Sequence, residues 1–393
     1  MEEKYKVLRK STLLIGSTLT VMAGAIVAPA LPQISREFAD IPGIELLSRL
    51  VLTLPALFMG ILAPLAGYLT DRSGRKKVLL FSLILYAVAG TTGLYFNDFM
   101  WILAGRALLG IAVGGLITAI ITLIGDYFDG EERSRFMGLQ AAFAGMGGLI
   151  FISLGGVLAD LNWRMPFLLY FASLVVWIMA LISVYEPEKE KESKNENPAN
   201  PDKNRIEKIP KMVFLVYGVT FFSALIFYMI PVQMPFMLSD MEGITNTKIG
   251  FAIAFVNVAS VATSVNYGRV RRKFSFPAIM AIVYLLVFLG FMIISQSDTY
   301  FMTIAGIIFS GLGFGLMMPN INLWLISLAP AAMRGRLVGY LNMALFLGMF
   351  GSPIVIQPLV VLSDLYFTFF LVGLLLLVLA LAFFFYTILK RSS

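Results

Sequence analysis

The chain has 393 residues, 59% of them hydrophobic and 13% charged, with 30 Lys and Arg against 23 Asp and Glu. A soluble domain carries about 25% charge, so this composition excludes one and indicates an integral membrane protein. With neither Cys nor His in the sequence, disulfide, thiol and imidazole chemistry are excluded, and the net charge of +7 is read below as membrane topology rather than nucleic-acid binding.

A helix that crosses a bilayer needs about 20 mostly apolar residues. Such segments are placed near 11–33, 46–69, 78–96, 99–124, 135–159, 165–185, 211–237, 248–268, 275–296, 299–325, 336–360 and 364–389. The predicted fold is therefore all-α with about twelve transmembrane helices. A barrel would need shorter segments of alternating polarity, which are absent. The first segment is long and no small-residue cleavage site stands out after it, so it reads as a span and not a signal peptide. With both termini cytoplasmic, all Lys and Arg fall on the inner side except Arg36, Arg49, Arg164 and Lys248, which lie outside, and Arg106, which lies within a span. That bias predicts the orientation and an even number of spans.

In chain order, the first segment carries Pro29 and Pro32. The second ends in GYLTDRSGRKK, Gly67–Lys77. Here Gly67 permits close helix approach, and Asp71 at a helix end can pair with arginine or accept from a neighbouring helix N-terminus. Gly74 supplies the turn, and Arg75, Lys76 and Lys77 hold the loop at the inner surface. A topogenic charge cluster with a turn glycine is the simpler reading of the same residues. At the outer end of this second segment Glu45 and Arg49 are spaced i, i+4 and can pair. Arg106 lies about seven residues inside the fourth segment, where a charge needs a partner, a cavity or a snorkelling path. The fifth segment holds Gly147, Gly148, Gly155 and Gly156, which allow close packing. Residues 186–210 are polar, proline-containing and balanced in charge, the composition of a linker. They divide the chain into 1–185 and 211–393, six spans each.

The two parts repeat. Arg133-Ser-Arg135-Phe-Met-Gly138 recurs 201 residues on as Arg334-Gly-Arg336-Leu-Val-Gly339, and at the same offset Gly105, Gly110 and Gly114 fall on Gly306, Gly311 and Gly315. Arg75-Lys76-Lys77 is matched by Arg271-Arg272-Lys273, where Tyr267 replaces Asp71, and Arg106 is matched by Ile307.

Gly67–Lys77 resembles the loop between helices 2 and 3 of the major facilitator superfamily, G-x-L-x-D-R-x-G-R-[KR]-[KR]. Gly105-Arg106-Ala-Leu-Leu-Gly110-Ile-Ala-Val-Gly114 resembles its fourth-helix motif R-x-x-x-G-x-x-x-[GA]. Asn162-Trp163-Arg164-Met-Pro166-Phe167 and Pro29-Ala-Leu-Pro32-Gln-Ile are similar to segments of the twelve-span drug:proton antiporters. The fifth helix resembles the antiporter motif G-P-x-x-G-G, with Phe151-Ile152 in place of Gly-Pro, a departure that leaves the direction of transport open. The resemblance implies two pseudo-symmetric six-helix bundles with a substrate site between them near the midplane. It implies a latch at Gly67, Asp71, Arg72, Gly74 and Arg75, a coupling or substrate-charge role for Arg106 and Gly110, and hinge glycines in the fifth helix. Proton-coupled efflux of amphipathic small molecules follows, with uptake of a small organic anion or metabolite as the alternative. A non-transporting receptor fits short loops poorly, and an enzyme lacks motifs. No cofactor or metal is called for, and a monomer in the cell membrane, with protons and lipid as partners and no nucleic acid, is expected.

All 23 acids lie in loops or near helix ends, so a central carboxylate for cations is not expected. The nearest proton carriers are Asp71 and Asp126 inside, and Glu45 or Asp98 outside. Gln140, Tyr228, Gln233, Asn257, Asn320, Asn322 and Asn342 are candidate cavity residues; each can instead be a helix–helix hydrogen bond worth about 1 kcal/mol.

Overall fold

A computed structural model describes residues 2–187, 209–330 and 333–392. Most of the linker expected at 186–210 thus lies outside the described residues. Among the described residues, twelve helices are long and apolar enough to cross a membrane. They are α1 (Tyr5–Glu37), α2 (Ile44–Ser73), α3 (Arg75–Tyr95), α4 (Phe99–Tyr127), α5 (Gly130–Leu161) and α6 (Met165–Ser183), then α7 (Lys211–Ser239), α8 (Asn246–Ser264), α9 (Phe276–Ser295), α10 (Tyr300–Leu328), α11 (Arg334–Leu362) and α12 (Leu365–Leu389).

The helix ends follow local chemistry. Asp98, Thr245, Ser275 and Thr299 sit in extended conformation before α4, α8, α9 and α10, and each side chain accepts a backbone N–H of the first turn, the N-cap arrangement worth about 1 kcal/mol. Pro29 interrupts α1 as a 3-10 turn at Ala28–Ala30; a proline cannot donate to the preceding turn. The span expected to reach residue 268 stops at Ser264, and Tyr267–Lys273 forms a separate short helix. Its first turn is tied down by Asn266, whose Oδ1 accepts from Arg269 Nη1 at 2.6 Å.

The repeat seen in the sequence is a repeat of packing. In the first six helices α4 packs on α2 and α3, and α1 on α5 and α6. Six helices on, α10 packs on α8 and α9, and α7 on α11. Gly110 shows the register: a Cβ there would strike the Pro55 carbonyl, and at Gly311 it would strike that of Val256. Both members of the second pair lie 201 residues beyond the first. The two sets of six meet through α5 on α8 and α2 on α11, pairs that exchange under the same relation.

Chain direction alternates, so α1, α3, α5, α7, α9 and α11 start, and the other six finish, at one end of the molecule. This is the end that bears the described termini; the opposite one is called the far end below.

Candidate functional site

A cavity of about 370 Å³ lies where the two sets of helices meet. Its wall draws on α1 and α2 at Thr20, Gly24, Leu52 and Met59, and on α7, α8 and α11 at Phe227, Tyr228, Asn257 and Phe346. Among the described residues, no charged one lines it. Its surface is aromatic, aliphatic and thioether, a wall that adapts to varied apolar shapes. Tyr228 and Asn257 are half-buried, and among the described residues neither side chain is committed to a hydrogen bond. A solute could therefore be held by apolar contact and oriented by two neutral polar groups.

Of the seven polar candidates, only Tyr228 and Asn257 line this cavity. Asn320 is buried within the second six helices, accepting from Tyr267 at 3.2 Å and donating to the Phe276 carbonyl at 3.1 Å. Asn322 bonds back to Met318 O in its own helix at 2.9 Å. Gln140 is half-buried and Asn342 exposed, and neither lines the cavity. Gln233 is buried at the far side, bonded to Arg49. Five of the seven thus fall outside the wall, because polarity alone does not tell which face of a helix a residue occupies.

The sequence also places an arginine in or near the cavity, and the structure puts it elsewhere. Arg106 is 0% exposed, enclosed within the first six helices. It donates to Tyr170 Oη at 2.8 Å and to the Gly90 carbonyl at 2.5 Å, and its guanidinium lies 4.9 Å and 4.8 Å from the Phe167 and Tyr170 ring centroids. Gly90 is the last residue of the straight part of α3, so Arg106 satisfies a carbonyl freed where that helix breaks. It does not snorkel outward. Tyr170 in turn donates to the Ala23 carbonyl at 2.9 Å, and Ala23 belongs to the cavity wall. Arg106 thus reaches the cavity through one tyrosine, as a support behind α1.

The Gly67–Lys77 turn is held inside its own half. Arg75 Nε lies 3.0 Å from Asp126 Oδ2, an ion pair short of good hydrogen-bond angle. The Glu186 carboxylate accepts from Arg75 N at 2.7 Å and Lys76 N at 2.8 Å, capping α3. Gly74 has φ +98° and ψ 148°, a region open essentially to glycine alone, and a Cβ there would stand 2.9 Å from the Glu186 carboxylate. Arg72 bonds Tyr68 Oη at 2.7 Å. The Asp71 side chain is exposed and makes no polar contact among the described residues. The close approach expected at Gly67 is absent: a Cβ there would meet nothing within 4 Å.

The far end differs. Arg49, 4% exposed, donates from Nε to Gln233 Oε1 at 2.8 Å and lies 3.8 Å from the Phe236 ring centroid. Its Nη1 bonds the Glu45 carbonyl, so the expected side-chain pair between Glu45 and Arg49 does not form. The Glu45 carboxylate instead accepts from Gln357 Nε2 at 3.1 Å. Asp160 accepts from Asn246 N at 2.6 Å and Thr247 N at 3.0 Å, capping α8 from α5. Gly156 permits this, since a Cβ would stand 2.5 Å from Asn246 O. Gly147 and Gly155 pack α5 on Thr18 and Ile26 of α1, while Gly148 faces Val21 and Asn257. Among the described residues, every hydrogen bond between 2–187 and 209–392 is one of these far-end contacts. Gln357, Asp160 and Glu186 escape notice in sequence, as does the Gln233 partner of Arg49, because each of these bonds joins residues far apart in the chain or involves a backbone group.

A family model for the Major Facilitator Superfamily matches residues 13–353, and again 216–392. The bacillibactin exporter of Bacillus subtilis is 23% identical over 369 residues, 88% of this chain and 89% of its own. The class C tetracycline resistance protein of Escherichia coli is 37% identical over 158 residues, 38% of each chain. The crystal structure of a D-xylose-proton symporter superposes with a TM-score of 0.77, covering 96% of this chain and 97% of its own at 16% identity, a likeness of fold alone. The chain belongs to the major facilitator superfamily and is a multi-pass membrane transporter, not an enzyme.

Proposed function

We propose that the protein exports amphipathic small molecules across the cell membrane in exchange for protons, with both termini cytoplasmic. The halves 1–185 and 211–393 would rock about the cavity, the linker joining them. One observation carries this reading: an uncharged, aromatic and methionine-bearing cavity between the halves, with polar cross-half contacts on one side of it only. Such a wall favours neutral or amphipathic solutes over small anions, which would need a cation that the wall lacks. In that orientation the far end is external and sealed, and the cavity's other side faces the cytoplasm.

Asp71, Arg72, Gly74 and Arg75 then form the cytoplasmic latch, disengaged in this conformation and closed in the opposite one, where Gly67 would meet its neighbour. Arg106 and Gly110 support the cavity wall through α1 and α2, and the α5 glycines carry the contacts that slide. Protons would be carried by carboxylates at the gates, Asp71 and Asp126 on one side and Glu45 on the other, since no acid lines the cavity.

Flux in proteoliposomes under an imposed pH gradient tests the proposal. Uphill movement of a lipophilic dye, coupled to proton entry and abolished by a protonophore, is the expected result. Dye flux indifferent to the gradient would refute proton coupling, and uptake of a small organic anion in preference to any amphipathic compound would replace export with the alternative.

A further inference from the structure

A second cavity, of about 800 Å³, lies at the terminus-bearing end, away from the transport cavity. It is bounded by Tyr5, Lys6 and Arg9 of α1, Lys76 at the start of α3, and Ile182 and Tyr185 at the end of α6. Among the described residues, three cations and no carboxylate line it. Among the described residues, Glu132 is engaged with Lys10 at 2.8 Å, and Glu186 with the Arg75 and Lys76 amides.

Arg9 is built into this cavity. Its guanidinium lies 4.8 Å from the ring centroids of both Tyr127 and Tyr185, which fixes its plane. Its side chain makes no hydrogen bond among the described residues. A guanidinium whose plane is fixed by two rings and whose terminal N–H groups are uncommitted suits a planar or tetrahedral oxyanion. Lys76 spends one donor on the Leu181 carbonyl at 3.2 Å, and an ammonium has three. Around the cations the rim is apolar and exposed: Ile182 is 57% exposed, Tyr185 51% and Tyr5 46%.

The position matters as much as the charge. The cavity sits where α1, α3 and α6 begin or end, and tyrosines at such helix ends mark the level of lipid headgroups. Cations at that level with apolar residues beside them match an anionic headgroup and the first carbons of its chains. We propose that this cavity binds an anionic phospholipid, its phosphate on Arg9, Lys6 and Lys76 and its chains along Ile182. Through Lys76 the lipid would be attached to the Gly67–Lys77 turn, and through Tyr127 to the end of α4 that carries Asp126. Occupancy would then bias the gate at this end. Placing the lipid in the inner leaflet rests on the orientation proposed above; binding itself does not.

The test uses the intact chain, purified and delipidated, in native mass spectrometry against phosphatidylglycerol, phosphatidylcholine and glycerol 3-phosphate. Retention of phosphatidylglycerol well above phosphatidylcholine is expected. Loss of about five-fold in affinity per cation removed, and on the order of a hundred-fold for Lys6→Gln, Arg9→Gln and Lys76→Gln together, is expected of the variants, with Arg272→Gln in the other half unchanged. The single variants serve if the triple does not fold. Equal retention of the two lipids by the intact chain would overturn the proposal. Undiminished binding in the variants would also overturn it, and glycerol 3-phosphate binding as tightly as the lipid would show a soluble-anion site instead. None of these outcomes depends on transport, so a failed lipid site and a failed export reading remain distinct.

Discussion

The two ends of the molecule are built from opposite logic. At the far end polar groups bond across the halves: Arg49 with Gln233, Glu45 with Gln357, Asp160 with the start of α8. At the terminus-bearing end they bond within a half: Arg75 with Asp126, Lys10 with Glu132, Glu186 with the α3 amides. In the rocking motion proposed above the first set has to break for the far end to open, whereas the second can persist. An end sealed by one buried arginine, two carboxylates and their neutral amide partners can be unmade at moderate cost, because each charge-assisted bond contributes about 1.5–3 kcal/mol.

Arg49→Met is expected to have the largest effect on this contrast. It removes the Gln233 bond and the Phe236 contact, shifting the equilibrium toward far-end opening by about 10- to 100-fold. The native chain has no cysteine, so Ile253→Cys in the cavity wall reports cleanly. Faster labelling by an impermeant thiol reagent from the far side is expected; an unchanged rate would mean that the seal lies elsewhere. Gly74→Ala should cost about 1–3 kcal/mol from its backbone conformation, plus the clash with Glu186, read as a lowered melting temperature. Adding Glu186→Ala should recover the steric part only, and a cycle with no coupling between the two sites would remove Glu186 from the account of Gly74. Tyr170→Phe, which strands Arg106 Nη1 and the Ala23 carbonyl, should cost about 1–3 kcal/mol while leaving labelling from either side in its native proportion. A change in sidedness there would make Arg106 part of the gate. Asp71→Asn should alter stability by less than about 0.5 kcal/mol, since its exposed side chain makes no polar contact among the described residues, yet change the balance of accessibility. Stability loss with unaltered sidedness would refute the latch.

Much of the fold was legible in the sequence because bilayer thickness sets segment length and topology sets where cations fall. The repeat was legible too: glycines at one offset proved to be the same close approach made twice, Gly110 on Pro55 and Gly311 on Val256. The site was less so. Arg106 announced itself as a charge in an apolar run, but its partners are a carbonyl freed by a helix break and a tyrosine 64 residues away, and neither has a sequence signature. Tyr228 and Asn257 were found as polar residues in apolar helices, yet Asn320 and Gln233 look the same in sequence and face elsewhere. Helical phase relative to a neighbouring bundle is decided by packing, and the hydrophobic pattern of a span that is apolar all round does not report it.

Glu186 has a mechanical corollary. It stands at the start of the stretch between α6 and α7, and it is fastened to the first two amides of α3. The connection between the two sets of helices is therefore counted from Pro187 onward, and a force on Glu186 is borne by the α2–α3 turn as well as by α6. Insertions beyond Pro187 should leave that anchorage whole.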